Sequence, residues 1–442
     1  MNVFASPPED ARRILENFDG IIRTNLPLSS KQLLLLPRNI KELSHCLTDE
    51  RSKRRLGYMN DNVMLSAYAY YFLWWNLFRL TSVFSALDEN VFSFLHDESV
   101  CLDIGSGPLS VPLALYLARP ELRAVKLTWY CMDTSQNALA LGENLLLSCA
   151  ARLQNTQSVH SPQSADNAED ADNTQSTESV ENAGNTQCAD GFCWRIVRVK
   201  GEIGTPIKQK ASFITCANMF NELYWNTSQP LEAEAKKYAA RLFSYGAQKP
   251  DGKSECAFFV AEPGIPRAAR FISLLRAAML RKNMSCTSPC PHENECPMDG
   301  KKGGKWCHFI LNTETAPFAL KKLSEKAGLA KERAAISFIF TRPEARSRNP
   351  KAEHAGMRET DGKTAAAGKT VYRIRICSDP IALPEHKTGR YACAPWGLTL
   401  VIEKNAREKR LASGDLTEAP LKAADIQSLR IDRKSGAKIV TL

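Results

Sequence analysis

The sequence lacks the segments that would carry it into or across a membrane. Its first residues, MNVFASPPEDARRILENF, contain no basic region followed by an apolar core, so we expect no secretory signal peptide. The most apolar stretch, 63–84, is interrupted by Asn76 and Arg79. Its uninterrupted part is shorter than the roughly 20 residues that a membrane span needs. We therefore predict a buried or half-buried helix here, and no membrane partner.

The absence of a signal peptide bears on the cysteines. A reducing compartment is expected, so the 14 cysteines do not indicate a disulfide framework. Most of them are predicted to be buried thiols, and a cluster among them would indicate a metal site. Lys and Arg exceed Asp and Glu by a net charge of +10, which favours an acidic partner such as nucleic acid.

Two segments contain few apolar residues. Residues 152–190 repeat Asn-Thr-Gln, and residues 342–370 are rich in charged and small residues. Neither can bury a core, so we predict a disordered surface insertion and a low-complexity linker. Together with the chain's length, they suggest three parts. The predicted parts are an N-terminal helical domain (1–95), an α/β domain (96–341) and a basic, β-containing C-terminal segment (371–442).

Short apolar strands alternate with helices from Ser99 onward. The strand at 99–103 ends in Asp103, and the strand at 125–132 ends at Asp133. Such alternation predicts a parallel, doubly wound sheet. Further strands are predicted at 193–199, 212–216, 257–261, 337–341, 371–376 and 398–402, and helices at 109–117, 135–147, 231–243 and 268–280.

A glycine-rich loop follows the first strand. Gly105 and Gly107 have no Cβ, so a ligand can approach the backbone closely, and the next helix begins just beyond them. The third glycine of a dinucleotide-binding loop is absent, which argues against NAD and leaves room for S-adenosylmethionine. Asp103, Gly105, Gly107 and Asp133 are the predicted cofactor-binding residues, with Asp133 placed to accept hydrogen bonds from ribose hydroxyls. The alternative is a tight turn in a nucleotide-free α/β domain.

The chain also lacks the Asn/Asp-Pro-Pro-aromatic motif common in enzymes that methylate base amines. The corresponding segment, 217–223, reads ANMFNEL. Asn218, Asn221 and Glu222 could contact cofactor or substrate, or could serve in helix capping and packing. No catalytic residue can be named from the sequence.

A cysteine cluster occupies the polar segment 286–309. Its spacing is Cys286-x3-Cys290-x5-Cys296-x10-Cys307, among Pro, Gly and charged residues. Thiolates gathered in a polar loop need a cation, so the pattern predicts a metal site rather than unrelated free thiols. The x5 and x10 spacings are loose for structural zinc and suit an iron–sulfur cluster, although zinc stays open. Cys286, His292 and His308 are possible competing ligands.

These motifs carry a family resemblance. The chain resembles the methyltransferase-like proteins of the ribosomal small subunit, which occur in mitochondria and bacteria. The resemblance spans roughly residues 30–400 without the two low-complexity segments. The stretches that carry it are LPRNIKELSHCLTDER (36–51), LDIGSGPLSVPLAL (102–115), FNELYW (220–225) with AEPGIPRAAR (261–270), and SPCPHENECP with WCHF (288–309).

The resemblance implies a Rossmann-like class I methyltransferase fold, an S-adenosylmethionine site and a 4Fe–4S cluster held by four cysteines. Three ligands map onto Cys290, Cys296 and Cys307, and the fourth onto Cys393 in GRYACAPWG (389–397). Cys377 and Cys286 are the alternatives for the fourth ligand. Implied partners are the small ribosomal subunit and its rRNA, in the cytoplasm or, in a eukaryote, the mitochondrial matrix.

Two functions from different classes fit these observations. The first is methylation of small-subunit rRNA through the intact glycine loop. The second is a non-catalytic assembly or translation factor, in which the cofactor site and the cluster stabilise an RNA-binding surface.

Overall fold

The computed structural model describes residues 1–48, 57–158, 192–225, 227–301, 304–343, 370–403 and 410–442. Most of the predicted insertion and linker therefore lies outside the described residues. The first part of the predicted insertion, 152–158, is the end of a long helix, so helix continues farther than the composition indicated.

The N-terminal part is helical, as predicted. One continuous helical rod runs through the apolar stretch and has a π-helical middle. In that middle and the helix that follows it, all residues are buried except Tyr68, Phe72, Arg79 and Ser85, which are half-buried. No described helix combines the length and the apolar character needed to cross a membrane. The helices are α1 (Glu9–Glu16), α2 (Phe18–Asn25), α3 (Ser30–Thr48), α4 (Asn62–Ala67), the π segment (Tyr68–Leu73) and α5 (Trp74–Ser85).

The first sheet has eight strands in the order β3-β2-β1-β4-β5-β8-β6, with β7 paired to β8. Strands β1 to β5 are parallel, whereas β8 runs antiparallel to β5, β6 and β7. Its strands are β1 (Val100–Ile104), β2 (Thr128–Asp133), β3 (Arg195–Lys200), β4 (Phe213–Ala217), β5 (Ala257–Pro263), β6 (Met284–Ser288), β7 (Phe309–Asn312) and β8 (Arg333–Pro343).

Burial explains why the central strands form here. Every residue of β1 is buried, as expected for a parallel strand covered by helices on both faces. The covering helices are α6 (Ser110–Ala118), α7 (Gln136–Ser158), α8 (Phe220–Leu223), α9 (Leu231–Tyr245), α10 (Pro266–Leu280) and α11 (Phe318–Lys326).

The strand order identifies the fold. A doubly wound 3-2-1-4-5 half, followed by a reversed strand between the fifth and sixth positions, is the Rossmann-like sheet of class I methyltransferases. The predicted fold class is confirmed. The sheet is mixed, however, because β8 is reversed, whereas the alternation of strands and helices alone indicated a parallel sheet. The predicted domain limits stay predictions.

A second, six-stranded sheet follows in the C-terminal part. Its strand order is β13-β9-β11-β12-β14, with β10 paired to β11, and only the β12–β14 pair is parallel. The strands are β9 (Thr370–Ile376), β10 (Ile381–Ala382), β11 (Thr388–Ala394), β12 (Gly397–Ile402), β13 (Leu416–Leu421) and β14 (Lys438–Thr441), with α12 (Ala423–Gln427) between the last two.

The chain's first residues pack on this second sheet. The backbone N–H of Val3 donates to the carbonyl of Gly414 at 3.0 Å, and the N–H of Leu416 donates to the carbonyl of Met1 at 2.7 Å. Both ends of the described chain therefore contribute to one layer, next to the segment that carries the candidate metal ligands.

Candidate cofactor and metal sites

Asp103 is the penultimate residue of β1 and is directed into the protein. Its carboxylate accepts hydrogen bonds from the hydroxyls of Ser106 (2.6 Å) and Thr215 (2.7 Å). Burial raises the pKa of Asp103 to about 7, although both hydroxyl donors act to lower it. Asp103 thus fixes the glycine loop to the neighbouring strand β4, and its carboxylate oxygens are engaged within the protein.

Both glycines of the glycine loop have a left-handed backbone conformation. Gly105 has a φ of +67° and Gly107 a φ of +52°, a region that favours glycine. A Cβ on Gly105 would lie 2.6 Å from Cγ of Met219, so only glycine leaves room for that side chain. The loop is therefore closely packed on one side by the segment after β4.

Asp133 ends β2 beside this loop, as predicted. One carboxylate oxygen accepts the N–H of Gly107 at 2.9 Å, and the other accepts the N–H of Ser135 at 2.8 Å. Burial raises the pKa of Asp133, against the lowering effect of these backbone donors. Each carboxylate oxygen has a second lone pair, so Asp133 keeps the capacity to accept from a ligand hydroxyl.

Helix α7 packs against the same loop. A Cβ on Gly142 would lie 2.4 Å from the carbonyl carbon of Pro108, so this glycine permits the close approach. Ser135 caps the helix, because its hydroxyl accepts the N–H of Ala138 at 3.2 Å. The helix predicted at 135–147 thus begins at a capping serine, whereas no local motif in the sequence marks Gly142.

The N-terminal helical part covers the loop. Asn137 on α7 donates from its side-chain nitrogen to the carbonyl of Asn60 at 3.2 Å, and the rings of Tyr58 and Tyr68 lie 6.4 Å apart. Burial, followed by the nearby carboxylates of Glu222 and Asp133, raises the pKa of Tyr68. Tyr68 on the π segment thus faces the same region as Asp133.

The segment after β4 is held by local hydrogen bonds. Asn218 has a φ of +58°, and its N–H donates to the carbonyl of Ala261 on β5 at 2.8 Å. The side chain of Asn221 donates to the carbonyl of Asn218 at 2.8 Å. These contacts match the capping and packing interpretation of the two asparagines.

Glu262 anchors this segment from β5. Its two carboxylate oxygens accept the N–H groups of Phe220 (2.8 Å) and Asn221 (3.1 Å) at the start of α8. The side chain is fully buried, and burial raises its pKa to about 8. The two stretches FNELYW and AEPG, which are far apart in the sequence, are therefore one structural unit.

The structure brings the four candidate cysteine ligands into one region. Cys290, Cys296 and Cys307 lie between β6 and β7, and Cys393 lies on β11 of the second sheet. The thiols that raise the pKa of Cys393, after burial, are those of Cys296, Cys290 and Cys307. Across the described chain, however, no three His, Cys, Asp or Glu side chains converge in a geometry that would hold a single metal ion.

The alternative cysteines lie beside two of these candidates. Cys286 is fully buried on β6 and hydrogen-bonds the side chain of Cys290, and Cys377, fully buried just after β9, hydrogen-bonds Cys307. Cys286 was expected in the polar loop; this placement was wrong, because β6 pairs with β8 and gives the thiol a strand environment. The hydrogen bond from Cys286, together with the positive charge of Arg276, lowers the pKa of Cys290 to about 6.

Residues 248–389 match a family model. The model is described as Mitochondrial small ribosomal subunit Rsm22, and the match spans less than half of the chain. The matched range contains Cys290, Cys296, Cys307 and Cys377, and it ends before Cys393. The glycine loop lies outside it.

The search of curated proteins finds no match. Solved structures that resemble the chain include a methyltransferase from Geobacter sulfurreducens with bound S-adenosyl-L-homocysteine (11% identity, TM-score 0.29, covering 61% of this chain and 98% of that one). A second, from Thiobacillus denitrificans with the same ligand, has 8% identity and a TM-score of 0.30, with coverages of 61% and 98%. A third is a precorrin-6y C5,15-methyltransferase from Geobacter metallireducens (10%, 0.28, 60% and 88%). With all three TM-scores below 0.5, the strand order, and not these likenesses, identifies the fold.

Proposed function

We propose that the chain is an S-adenosylmethionine-binding, methyltransferase-like protein of the small ribosomal subunit. The observation that supports this most directly is the glycine loop at the carboxyl ends of β1 and β2. Ligands of doubly wound sheets bind at that edge. Asp103 fixes the loop, Gly105 and Gly107 expose its backbone, and Asp133 lies beside it with free acceptor capacity.

Each of these residues has a separate role in the proposed site. The backbone of Gly105 and Gly107 and the N-terminus of α6 favour the polar end of the ligand. Asp133 accepts from the ribose hydroxyls. When bound, S-adenosylmethionine supplies an electrophilic methyl group, and the protein's part in transfer is to hold the acceptor in line with it.

Equilibrium binding of S-adenosylmethionine and S-adenosylhomocysteine tests the site. We expect the wild-type chain to bind both, and Asp133→Ala to bind about 10- to 100-fold more weakly, since hydrogen bonds to a charged group contribute about 1.5–3 kcal/mol. Asp97→Ala is the matched control, because exposed Asp97 also accepts a backbone N–H, from Lys126 at 2.9 Å, but lies before β1. A wild-type chain that binds neither ligand contradicts the proposal.

The small ribosomal subunit is the proposed partner, and its rRNA the proposed contact. The family match and the net charge of +10 support this. In a eukaryote the corresponding compartment is the mitochondrial matrix. Binding through Lys and Arg contacts to phosphates should weaken steeply as salt rises, so cosedimentation with small-subunit particles over a salt series tests it. A flat salt response contradicts the rRNA contact.

A non-catalytic assembly factor is the second candidate. It is favoured by the segment after β4, because the polar groups of that segment are engaged within the protein. Asn221 donates to the carbonyl of Asn218 and to the carboxylate of Glu262, and the side chain of Met219 packs on Gly105. Incubating the protein with labelled S-adenosylmethionine and small-subunit assembly intermediates separates the two functions. Label in the rRNA supports the enzyme, and particle binding without label on any intermediate supports the assembly factor.

The residues around the cysteines fit a metal cluster. Arg276 and Arg375 are both buried, and the groups that raise the pKa of either guanidinium are cysteine thiols. A buried cation needs a negative partner, and metal-bound thiolates provide it whereas neutral thiols do not.

We assign a 4Fe–4S cluster to Cys290, Cys296, Cys307 and Cys393, where it would cross-link the two sheets. Anaerobic purification with iron, sulfide and zinc analysis should give about four iron and four sulfide per chain. A content of one zinc per chain would show that the cysteines hold zinc instead of a cluster. A protein without metal would contradict the metal site. Cys393→Ser compared with Cys377→Ser and Cys286→Ser identifies the fourth ligand.

A further inference from the structure

Two buried polar side chains next to the cysteines each have one nitrogen without a hydrogen-bond partner. Arg276 on α10 is 3% exposed and His292 is 7% exposed. Among the described residues, Nε of Arg276 and Nδ1 of His292 have no hydrogen-bond partner. Buried polar groups are nearly always hydrogen-bonded, so each of these nitrogens has capacity for a further partner, such as a water or an ion.

Arg276 holds the cysteine segment in place and faces its thiols. Its two terminal nitrogens donate to the carbonyls of Asn294 (3.0 Å) and His292 (2.8 Å). Cys290 is the thiol that acts most strongly on this guanidinium. One side chain therefore fixes the backbone of the segment and places a positive charge beside Cys290.

His292 links the segment to the second sheet. Its Nε2 lies 3.0 Å from Sγ of Cys393 on β11, and it donates to that sulfur in the tautomer with the proton on Nε2. Its carbonyl is the acceptor that Arg276 holds. Arg276 and His292 thus form one connected unit, with Cys290 beside Arg276 and Cys393 beside His292.

Arg375 gives a second positive charge from the opposite sheet. It donates through Nε to the carbonyl of Pro289 at 2.8 Å and through Nη1 to the carbonyl of Gly414 at 2.7 Å. No ion pair joins Arg276 or Arg375 to a carboxylate in the described part of the chain. Four thiolates on an iron–sulfur core leave a net negative charge that these two arginines would offset.

We propose that Arg276 and His292 are positioning residues that donate hydrogen bonds to the metal-bound thiolates of Cys290 and Cys393. This inference rests on the proposed cluster. Hydrogen bonds and positive charge at the sulfurs stabilise the more negative, reduced form. The two residues therefore raise the reduction potential of the cluster. They also slow the loss of the cluster from the protein.

Purified full-length variants test this. For Arg276→Met and His292→Leu we expect a lower reduction potential in an anaerobic redox titration, with iron and sulfide content measured in parallel. We also expect the cluster to be bound about 10- to 100-fold more weakly, as is typical when a partner of a metal ligand is removed, and therefore to be lost faster to a chelator. Arg276→Lys, which keeps the charge, and His292→Gln, which keeps a donor, should recover part of both properties.

Arg119→Met is the matched control. Arg119 is a buried arginine that also donates to backbone carbonyls, those of Leu87 (2.9 Å) and Glu89 (3.0 Å), but its Nε pairs with the carboxylate of Glu121 at 2.6 Å. Its variant should be less stable with an unchanged potential. If the Met and Leu variants do not fold, the Lys and Gln variants still provide the comparison.

The outcomes separate this inference from the proposed cluster. A wild-type chain without iron overturns both. A wild-type chain with the cluster, and variants with wild-type potential and wild-type rate of loss, overturns the role of Arg276 and His292 alone.

Discussion

Buried carboxylates in this protein hold neighbouring segments of the chain together. Asp103 lies near the end of β1 and Glu262 near the end of β5, on either side of β4, and each uses both of its oxygens to hold a nearby segment. Burial raises the pKa of Asp103 to about 7 and that of Glu262 to about 8. Both groups therefore bind a proton more tightly in the folded protein than in the unfolded chain, which makes stability depend on pH.

Replacing Glu262 with Gln should reduce this dependence. Because the folded-state pKa lies above the unfolded value of 4.5, the stabilisation is complete below about pH 4.5 and is lost as pH rises through about 8. At pH 5 we expect Glu262→Gln to be about 1 kcal/mol less stable than wild type, since Gln offers one acceptor oxygen instead of two. Because only the wild type loses this stabilisation as pH rises, the difference should shrink and then change sign toward pH 8, as measured by denaturant unfolding at each pH.

Glu255→Gln is the control for this prediction. Glu255 is an exposed carboxylate seven residues earlier, so its variant should follow the wild-type pH profile. A constant difference between wild type and Glu262→Gln from pH 5 to pH 8 would contradict the prediction. Asp103 remains in both proteins, so some pH dependence should persist.

At the scale of elements, α4, which belongs to the N-terminal part that covers the glycine loop, depends on its N-cap residue. Asp61 is the N-cap of α4, and one of its oxygens accepts the N–H groups of Val63 (2.8 Å) and Met64 (2.9 Å). Asp61→Ala should lower the free energy of unfolding by about 1 kcal/mol, whereas Asp61→Asn, which keeps an acceptor, should lower it much less. Chemical unfolding of the two variants checks this, and equal losses would show that the cap does not act through its acceptor.

The sequence predicted elements well where one local pattern determines them. The glycine loop, the acids Asp103 and Asp133 and the buried helix at 63–84 follow from residue order and apolar runs. Strand β2 was predicted to start at Val125 and starts at Thr128, an error of the size usual at strand ends.

Pairing between distant segments could not be predicted in the same way. Strand β6 forms because it pairs with β8, about fifty residues later, so Cys286 seemed to belong to a polar loop. The π-helical middle of the α4–α5 rod has the same apolar composition as an ordinary helix. Gly142 and Arg276 matter through contacts made in the folded state, with Pro108 and with the cysteine segment, and no local motif marks either residue.

At the scale of the whole molecule, the cysteine segment is where the two sheets meet. Asn294 donates to the carbonyl of Pro395 at 2.9 Å, and Arg375 on β9 donates to the carbonyl of Pro289 at 2.8 Å. The N–H of Ile310 donates to the hydroxyl of Ser413 at 3.2 Å. Cys377 and Cys393 of the second sheet also belong to a hydrophobic cluster that contains Phe309 and Phe338 of the first. A metal that binds cysteines from both sides would add a further link between the sheets.

Loss of that metal should therefore loosen the second sheet before the first. We expect Cys296→Ser to lose the metal and to show faster amide hydrogen exchange in β9, β11 and β12, while β1 and β4 keep their protection, because the first sheet has its own buried core. Cys149→Ser is the control, since Cys149 is a fully buried thiol on α7 away from the cysteine segment. Its variant should lose stability through packing alone and keep both the metal and the protection of β11. If Cys296→Ser lost the metal and exchanged like wild type throughout, the hydrogen bonds alone would suffice to join the sheets, and the metal would have to serve another purpose.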